Sequence, residues 1–258
     1  MVPNERICFE WQESLRDELA QDYRIAFVAA LEREIAPFVR GWNLSEREHE
    51  GRRFRFFENK DVVLVCGGIG GEHARRATEA VIVFYRPSSV QSVGLAGALD
   101  PKLKVGMIFS PRWVVDVRDG SRTDTAKGDG VLVSASEIVS VGQKAKFARA
   151  YGAQAVDMEA ASVARGAEAH GLPFSAIKAI SDESDFVMPP MNEFISGNGN
   201  FRTKRFVLFA AFRPWLWGKM VRLGIDSARA VRALCAELTK VLELETVARP
   251  SALHPVSS

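Results

Sequence analysis

Short apolar runs alternate with longer helical patterns along most of this chain, and few folds accept that order. The runs are RIAFVAA (24–30), FRFFEN (54–59), DVVLVCGG (61–68), SVQSVGLAG (89–97), VGMIFSPRWVVDV (105–117), GVLVSA (130–135), QAVDM (154–158) and FSAIKAISD (174–182). Several are nearly continuous in Val, Ile and Phe, as strands buried on both faces require. Helical spacing falls at 31–40, 71–86, 140–151, 159–170 and 225–243. The last is the clearest, with Ile225, Ala228, Val231, Leu234, Cys235, Leu238, Val241 and Leu242 at three- and four-residue steps. This alternation predicts an α/β fold with a mixed, mostly parallel central sheet, and such sheets gather ligands at the carboxyl ends of their strands.

The composition narrows the function classes. At 258 residues and 47% hydrophobic content the chain buries a full core, which excludes a wholly disordered protein and a disulfide-stapled mini-protein. Thirty-four basic residues against 32 acidic ones leave a net charge of +2, so nucleic acid is not an expected partner. Cys8, Cys66 and Cys235 are scattered and odd in number, which favours a reducing cytoplasm over paired disulfides. The first twenty residues show no export signal, and no apolar stretch reaches membrane-spanning length. His49, His73, His170 and His254 lack metal-ligand spacing, so no metal is expected. One domain is expected over 1–258, with an extension at 1–22, an aromatic-rich helical region at 186–245 and a tail at 246–258.

Four places could carry chemistry. In VDMEAASVA (156–164) a strand runs into Glu159 at a helix start, where the helix dipole favours an ionised carboxylate able to accept from a vicinal diol. The plain alternative is an ordinary acid in a first turn. KAISDESD (178–185) delivers Ser181 and Asp182 to a strand end; Asp182 is a general-acid candidate, with a helix cap as the alternative. Glu32 and Glu34 follow the first strand, but two residues apart on a helix they do not share a face, so one at most enters a site. CGGIGGEHA (66–74) and GLAGAL (94–99) follow strands and bring backbone close to a ligand; the spacing is not that of a dinucleotide fingerprint.

Taken in order, AALEREI, GGIGGEHA, GLAGAL, LKVG (103–106), LVSASEIV (132–139), VDMEAA (156–161) and AISDESD (179–185) resemble the nucleoside phosphorylase superfamily, in particular its methylthioadenosine/S-adenosylhomocysteine nucleosidase branch. The resemblance implies a three-layer α/β/α sandwich and cleavage of the N-glycosidic bond between ribose and a purine. It implies that Glu159 grips the ribose hydroxyls over Met158, that Asp182 protonates purine N7 beside Ser181, and that Glu34 activates water. Ile138 and Val139 match the pair flanking the base, with Ala96 and Gly97 walling its pocket. Gly67 stands where nucleosidases carry a serine, Met107 replaces an aspartate, and Ile138 replaces an aromatic. These departures leave water and phosphate both open as nucleophile. No cofactor is implied beyond phosphate as a co-substrate, for which Arg33, Arg75 and Arg76 are the candidates against a reading as surface arginines. The family implies a homo-oligomer.

Beyond Asp185 the chain departs from that branch. FVMPPMNEF (186–194) and GNGNFRTKRFVLFAAFRPWLWGKMVRLG (197–224) are rich in aromatics, Met and Pro. The entry SDESDFVMPP and the run RPWLW are similar to the hopanoid-associated phosphorylases, which implies removal of adenine from adenosylhopane, a lipid-linked nucleoside. Trp beside Arg and Lys suits a headgroup boundary, so peripheral membrane contact joins a helix pair covering the sheet and a subunit contact as readings of this stretch. Two rivals stand beside cleavage of a 5′-substituted adenine nucleoside: a hydrolytic nucleosidase for small nucleosides, and a non-catalytic nucleoside- or lipid-binding module. Paired Glu159 and Asp182 count against the module, because binding alone needs no N7 acid.

Overall fold

The first apolar run becomes a central strand, β1 (Ile25–Ala29), buried at every position. The computed structural model describes residues 25–60 and 62–247; the expected extension at 1–22 and all but the first two residues of the expected tail lie outside them. After β1 come α1 (Glu32–Ile35), β2 (Asn43–His49), β3 (Arg52–Asn59), β4 (Val62–Cys66), α2 (Gly71–Tyr85), β5 (Ser89–Ala98) and β6 (Ile108–Phe109). Then follow β7 (Trp113–Asp116), β8 (Arg122–Asp124), β9 (Val131–Ser134), α3 (Val141–Tyr151), β10 (Ala155–Asp157), α4 (Ala160–Ala169) and β11 (Phe174–Asp182). A 3-10 turn (Asn192–Phe194), α5 (Thr203–Ala211) and α6 (Pro214–Val247) close the chain.

Alternation along β1 sorts its side chains between two layers. Ala26 and Val28 pack with the alanine-rich faces of α2 and α4, through Ala74, Ala77, Ala160 and Ala164. Ile25, Phe27 and Ala29 face the other way, onto Ile35, Phe38 and the Ala230–Leu234–Leu238 stripe of α6. The sheet is therefore covered on both sides, an α/β/α sandwich as the resemblance implies. Its central pairs β4–β1, β1–β5 and β5–β11 are parallel, and antiparallel hairpins finish the edges.

Three expectations needed correction, each for a local reason. The helix expected over 31–40 ends at Ile35, because Pro37 lacks an N–H and crowds the preceding turn. The run 105–117 splits into β6 and β7 around Pro111. The helix expected over 225–243 begins eleven residues earlier, with Pro214 at the first helical position, where a missing N–H costs nothing. The polar edge strand β2, NLSEREH, carries no apolar signal and was not anticipated.

One irregularity of the sheet positions the site. On one edge β5 pairs with β11 from Val90 to Gly97. On its other edge it pairs with β1 only as far as Ser92, and pairing resumes at Gly97 with the antiparallel β10. β1 and β10 thus point their carboxyl ends at each other across Val93–Ala96. Whatever follows each strand is delivered into the same gap.

Candidate active site

A cavity of about 200 Å³ occupies that gap. Its lining includes Val93–Gly97 of β5, Glu34 after β1, Met158 and Glu159 after β10, and Ser181 and Asp182 at the end of β11. Ile138 and Val139 complete one wall. Residues far apart in the sequence and expected at one site therefore do meet. Gly67 does not: it faces a neighbouring cavity, and a side chain there would strike the His73 carbonyl oxygen at 2.7 Å.

Asp182 is aimed by a β-bulge. Ile180 pairs with Ala96 and Asp182 with Gly97, so Ser181 is the extra residue, a device common beside active sites. The Asp182 carboxyl accepts from Ser181 Oγ at 2.7 Å and lies 2.5 Å from the Lys144 ammonium, which also donates to the Glu183 carbonyl at 2.8 Å. Asp182 caps no helix. Its carboxyl lies so close to β5 that a Cβ on Gly97 would sit 2.9 Å from Oδ2. Glycine is required there by contact rather than by backbone conformation.

Glu159 corrects the helix-start expectation. It occupies the N-cap position of α4 but makes no capping bond; Asp157 takes that role, accepting from Ala160 N at 2.9 Å. The Glu159 carboxyl instead accepts from Gly70 N at 2.8 Å, at the start of α2. Burial, with the Asp157 charge beside it, pushes Glu159 up to about 7, against the pull of Lys178 and the Gly70 bond. The dipole argument, which favoured a readily ionised group, loses to desolvation.

Glu34 shares that condition. It is buried, and loss of water raises its carboxyl to about 7 although Arg33 and Lys178 pull downward. Its oxygen and the Lys178 ammonium converge over Gly94, where a Cβ would lie 3.4 Å from one and 3.9 Å from the other. Lys178 is fully buried, 2.9 Å from Asp157 Oδ2 and 2.9 Å from Ser92 Oγ. Asp157 also accepts from Ser134 Oγ at 2.6 Å. One ammonium thus serves three carboxyl groups, and its direct partner is Asp157, leaving Glu34 and Glu159 under-compensated.

Lys144, Lys178 and Asn192 were not anticipated. A lysine in the middle of FSAIKAISD, a run otherwise fit for full burial, was a readable signal for Lys178. Lys144 sits in an ordinary-looking helix and gave none. Asn192 Oδ1 accepts from Ile138 N at 3.1 Å, which ties the 186–196 segment over the cavity and brings Met188, Met191 and Ile195 to its wall.

Beside this cavity lies a larger one of about 820 Å³, sharing Ala30, Leu31, Arg33 and Phe201 with it and lined by Arg52, His73 and Arg76. Of the three arginines expected for phosphate, Arg75 is held by Glu72 and Glu79 and lines neither cavity. Arg76 pairs with Glu72 at 2.9 Å, and Arg33 stacks on Phe201 at 5.5 Å. Among the described residues His49, Glu50 and Glu79 approach within 4.8 Å of one another, a grouping sequence spacing did not suggest; none of them lines either cavity.

An α/β/α sandwich whose strand ends bring three acids into one cleft defines a class of enzymes acting on small ligands. Within that class the model for the phosphorylase superfamily matches residues 24–140 and 125–196, and the chain belongs to that superfamily. A 5′-methylthioadenosine/S-adenosylhomocysteine nucleosidase of Marinomonas sp. is 27% identical over 197 residues, 61% of this chain and 85% of the relative. An aminodeoxyfutalosine nucleosidase of Helicobacter pylori is 25% identical over 199 residues, 63% of this chain and 86% of the relative. Among solved structures, the Helicobacter pylori futalosine hydrolase superposes with a TM-score of 0.64 at 19% identity, covering 86% of this chain and 97% of its own. The Neisseria meningitidis methylthioadenosine/S-adenosylhomocysteine nucleosidase with methylthio-immucillin-A gives 0.64 at 20%, covering 86% and 99%. At these identities the structural likeness establishes the fold.

Proposed function

We propose that the chain cleaves the bond between adenine and C1′ of a 5′-substituted adenine nucleoside, with water as the nucleophile. The observation that carries this is the meeting of Glu34, Glu159 and Asp182 on one cavity. The names of the two relatives, a 5′-methylthioadenosine/S-adenosylhomocysteine nucleosidase and an aminodeoxyfutalosine nucleosidase, agree with it. As the C1′–N9 bond lengthens, its electron pair moves onto the purine and positive charge develops at C1′. Asp182 gives a proton to N7, so the base leaves neutral, and the proton that water yields to Glu34 balances it. Glu159 accepts hydrogen bonds from the ribose hydroxyls and sets its charge near C1′. Glu34 takes a proton from water as the oxygen bonds to C1′. A carboxyl raised to about 7 is suited to that work near neutral pH.

The 5′ substituent we propose is long and apolar, of the adenosylhopane kind. Leu31, Ile69, Met191, Ile195, Phe201 and Leu223 line the cavity, more apolar wall than adenine and ribose require. Phosphate is the second reading for the nucleophile, favoured by the adjoining cavity with Arg33, Arg52 and Arg76.

Both choices are decided by adenine release from adenosine, methylthioadenosine and adenosine bearing a long apolar 5′ group, each with and without phosphate. Release without phosphate supports water; strict phosphate dependence moves the nucleophile to the arginine-lined cavity. Preference for the apolar group supports the lipid-linked substrate, and preference for methylthioadenosine replaces it with a small nucleoside. No release from any of the three refutes the catalytic reading.

A further inference from the structure

The stretch from Phe194 to Ile225 contains six basic residues and no acidic one, so in a chain of net charge +2 the rest is net −4. Within it, α5, the link after it and the first three turns of α6 expose Leu208, Phe212, Trp215, Trp217, Val221 and Ile225, with Phe212 76% and Trp215 71% exposed. Among the described residues most of the exposed large apolar side chains fall in these eighteen positions.

The two helices already have inward faces. Phe206 packs on Phe194 and Phe201, and Phe209 on Phe194. On α6, Leu223 and Ser227 line the nucleoside cavity, and Ala230 and Leu234 continue the same side into the core. Trp217, Val221 and Ile225, four residues apart, form a second apolar stripe facing outward. Past Asp226 that outer side turns polar, with Arg229, Arg232, Thr239 and Lys240 exposed. A helix apolar on two sides over part of its length is buried against something on each. No described helix is long and apolar enough to cross a membrane.

We propose that this face docks on an anionic phospholipid surface, with the Trp and Phe side chains at the acyl boundary and the basic residues among the headgroups. Charge decides between occupants. An isologous contact with a second copy would set a cationic face against its own like, whereas an anionic bilayer complements it. Large apolar side chains interleaved with Lys and Arg are the pattern of an interfacial helix. Because α6 faces lipid on one side and the nucleoside cavity on the other, an apolar 5′ chain has a short way from bilayer to site. That last link rests on the proposed substrate; the docking itself does not.

The test is cosedimentation of the full chain with vesicles of phosphatidylcholine alone and of phosphatidylcholine mixed equally with phosphatidylglycerol, at about 0.1 M and about 0.5 M salt. Expected is binding to the anionic vesicles at least about tenfold stronger than to the neutral ones and weakened by salt, with a blue-shifted tryptophan emission. Phe212→Ser with Trp215→Ser, and separately Arg205→Glu with Lys219→Glu, each reduce it at least about tenfold in protein that stays folded by circular dichroism. Absence of binding to anionic vesicles overturns the proposal, and so does binding that both double variants retain in full. A self-association that the Phe212→Ser, Trp215→Ser variant abolishes, without vesicle binding, assigns the face to a second copy and overturns it equally. Adenine release from a water-soluble nucleoside, unchanged in both variants, is scored in parallel, so loss of docking and failure of the catalytic reading are told apart.

Discussion

Replacing Glu34 by glutamine separates the chemistry of the site from its cost to the fold. The carboxyl rises from 4.5 to about 7 on folding, so ionising it in place costs roughly 3 kcal/mol, at 1.36 kcal/mol for each pH unit. The sign follows from proton binding. With the folded value above the unfolded one, the folded state holds more protons between about pH 4.5 and 7, and stability falls as pH rises through that window. Glutamine has no proton to lose. Wild type and Glu34→Gln are therefore expected to be nearly equal in stability at about pH 4.5, and the variant more stable by up to about 3 kcal/mol at pH 8. Glu159 keeps its own penalty in both, and is relieved slightly in the variant because the Glu34 charge adds to its shift. Urea denaturation at the two pH values measures the difference. Adenine release, measured on the same protein, should fall at least about a hundredfold, the low end of general acid–base effects. A stability difference that does not change with pH would refute the burial argument. Turnover within about tenfold of wild type would remove Glu34 from the reaction.

Lys178→Met leaves Asp157 and Ser92 without their buried ammonium and should cost about 3–5 kcal/mol in urea denaturation, as broken buried ion pairs do. Gly97→Ala puts a methyl group 2.9 Å from Asp182 Oδ2; steady-state kinetics should show kcat reduced at least about tenfold with thermal stability lowered far less than in Lys178→Met. Asp182→Asn keeps the volume and the Ser181 contact but has no proton to give, so adenine release should drop at least about a hundredfold in protein with an unchanged circular dichroism spectrum.

The sequence carried the layered fold because apolar periodicity reports burial, and the strands buried on both faces announce it in every residue. It was silent where structure is made without apolar residues: β2 is held by its pairing with β3, from Asn43 with Glu58 to His49 with Arg52, and by contacts of Ser45, Arg47 and His49 with Phe84 and Tyr85 of α2. Glu34, Glu159 and Asp182 were legible as acids at strand ends, and the gap along β5 brings them together. Their electrostatics were not legible. The dipole argument for Glu159 used its place on one helix, whereas its environment is set by Gly70 and Asp157 on other elements. Lys144 was missed for the same reason, since its partner Asp182 lies 38 residues further along.

The count of charges at the gap has a consequence for the reaction. Glu34, Asp157 and Glu159 face a single buried ammonium, and Asp157 has first claim on it through a 2.9 Å contact. The two glutamates rise to about 7 because burial takes them out of water, and the pull of Lys178, with Arg33 at Glu34, does not offset that loss. In the proposed reaction a ribosyl group developing positive charge at C1′ between them adds to that pull. Removal from water, which makes ionised glutamates costly in the resting enzyme, strengthens their attraction for the transition state, because little solvent screens it. The substrate ground state is neutral at C1′ and gains little of this, so the effect is differential and accelerates the step. A second lysine near Glu34 or Glu159 would settle the resting site and lower its pKa values, and by the same argument it would slow the cleavage.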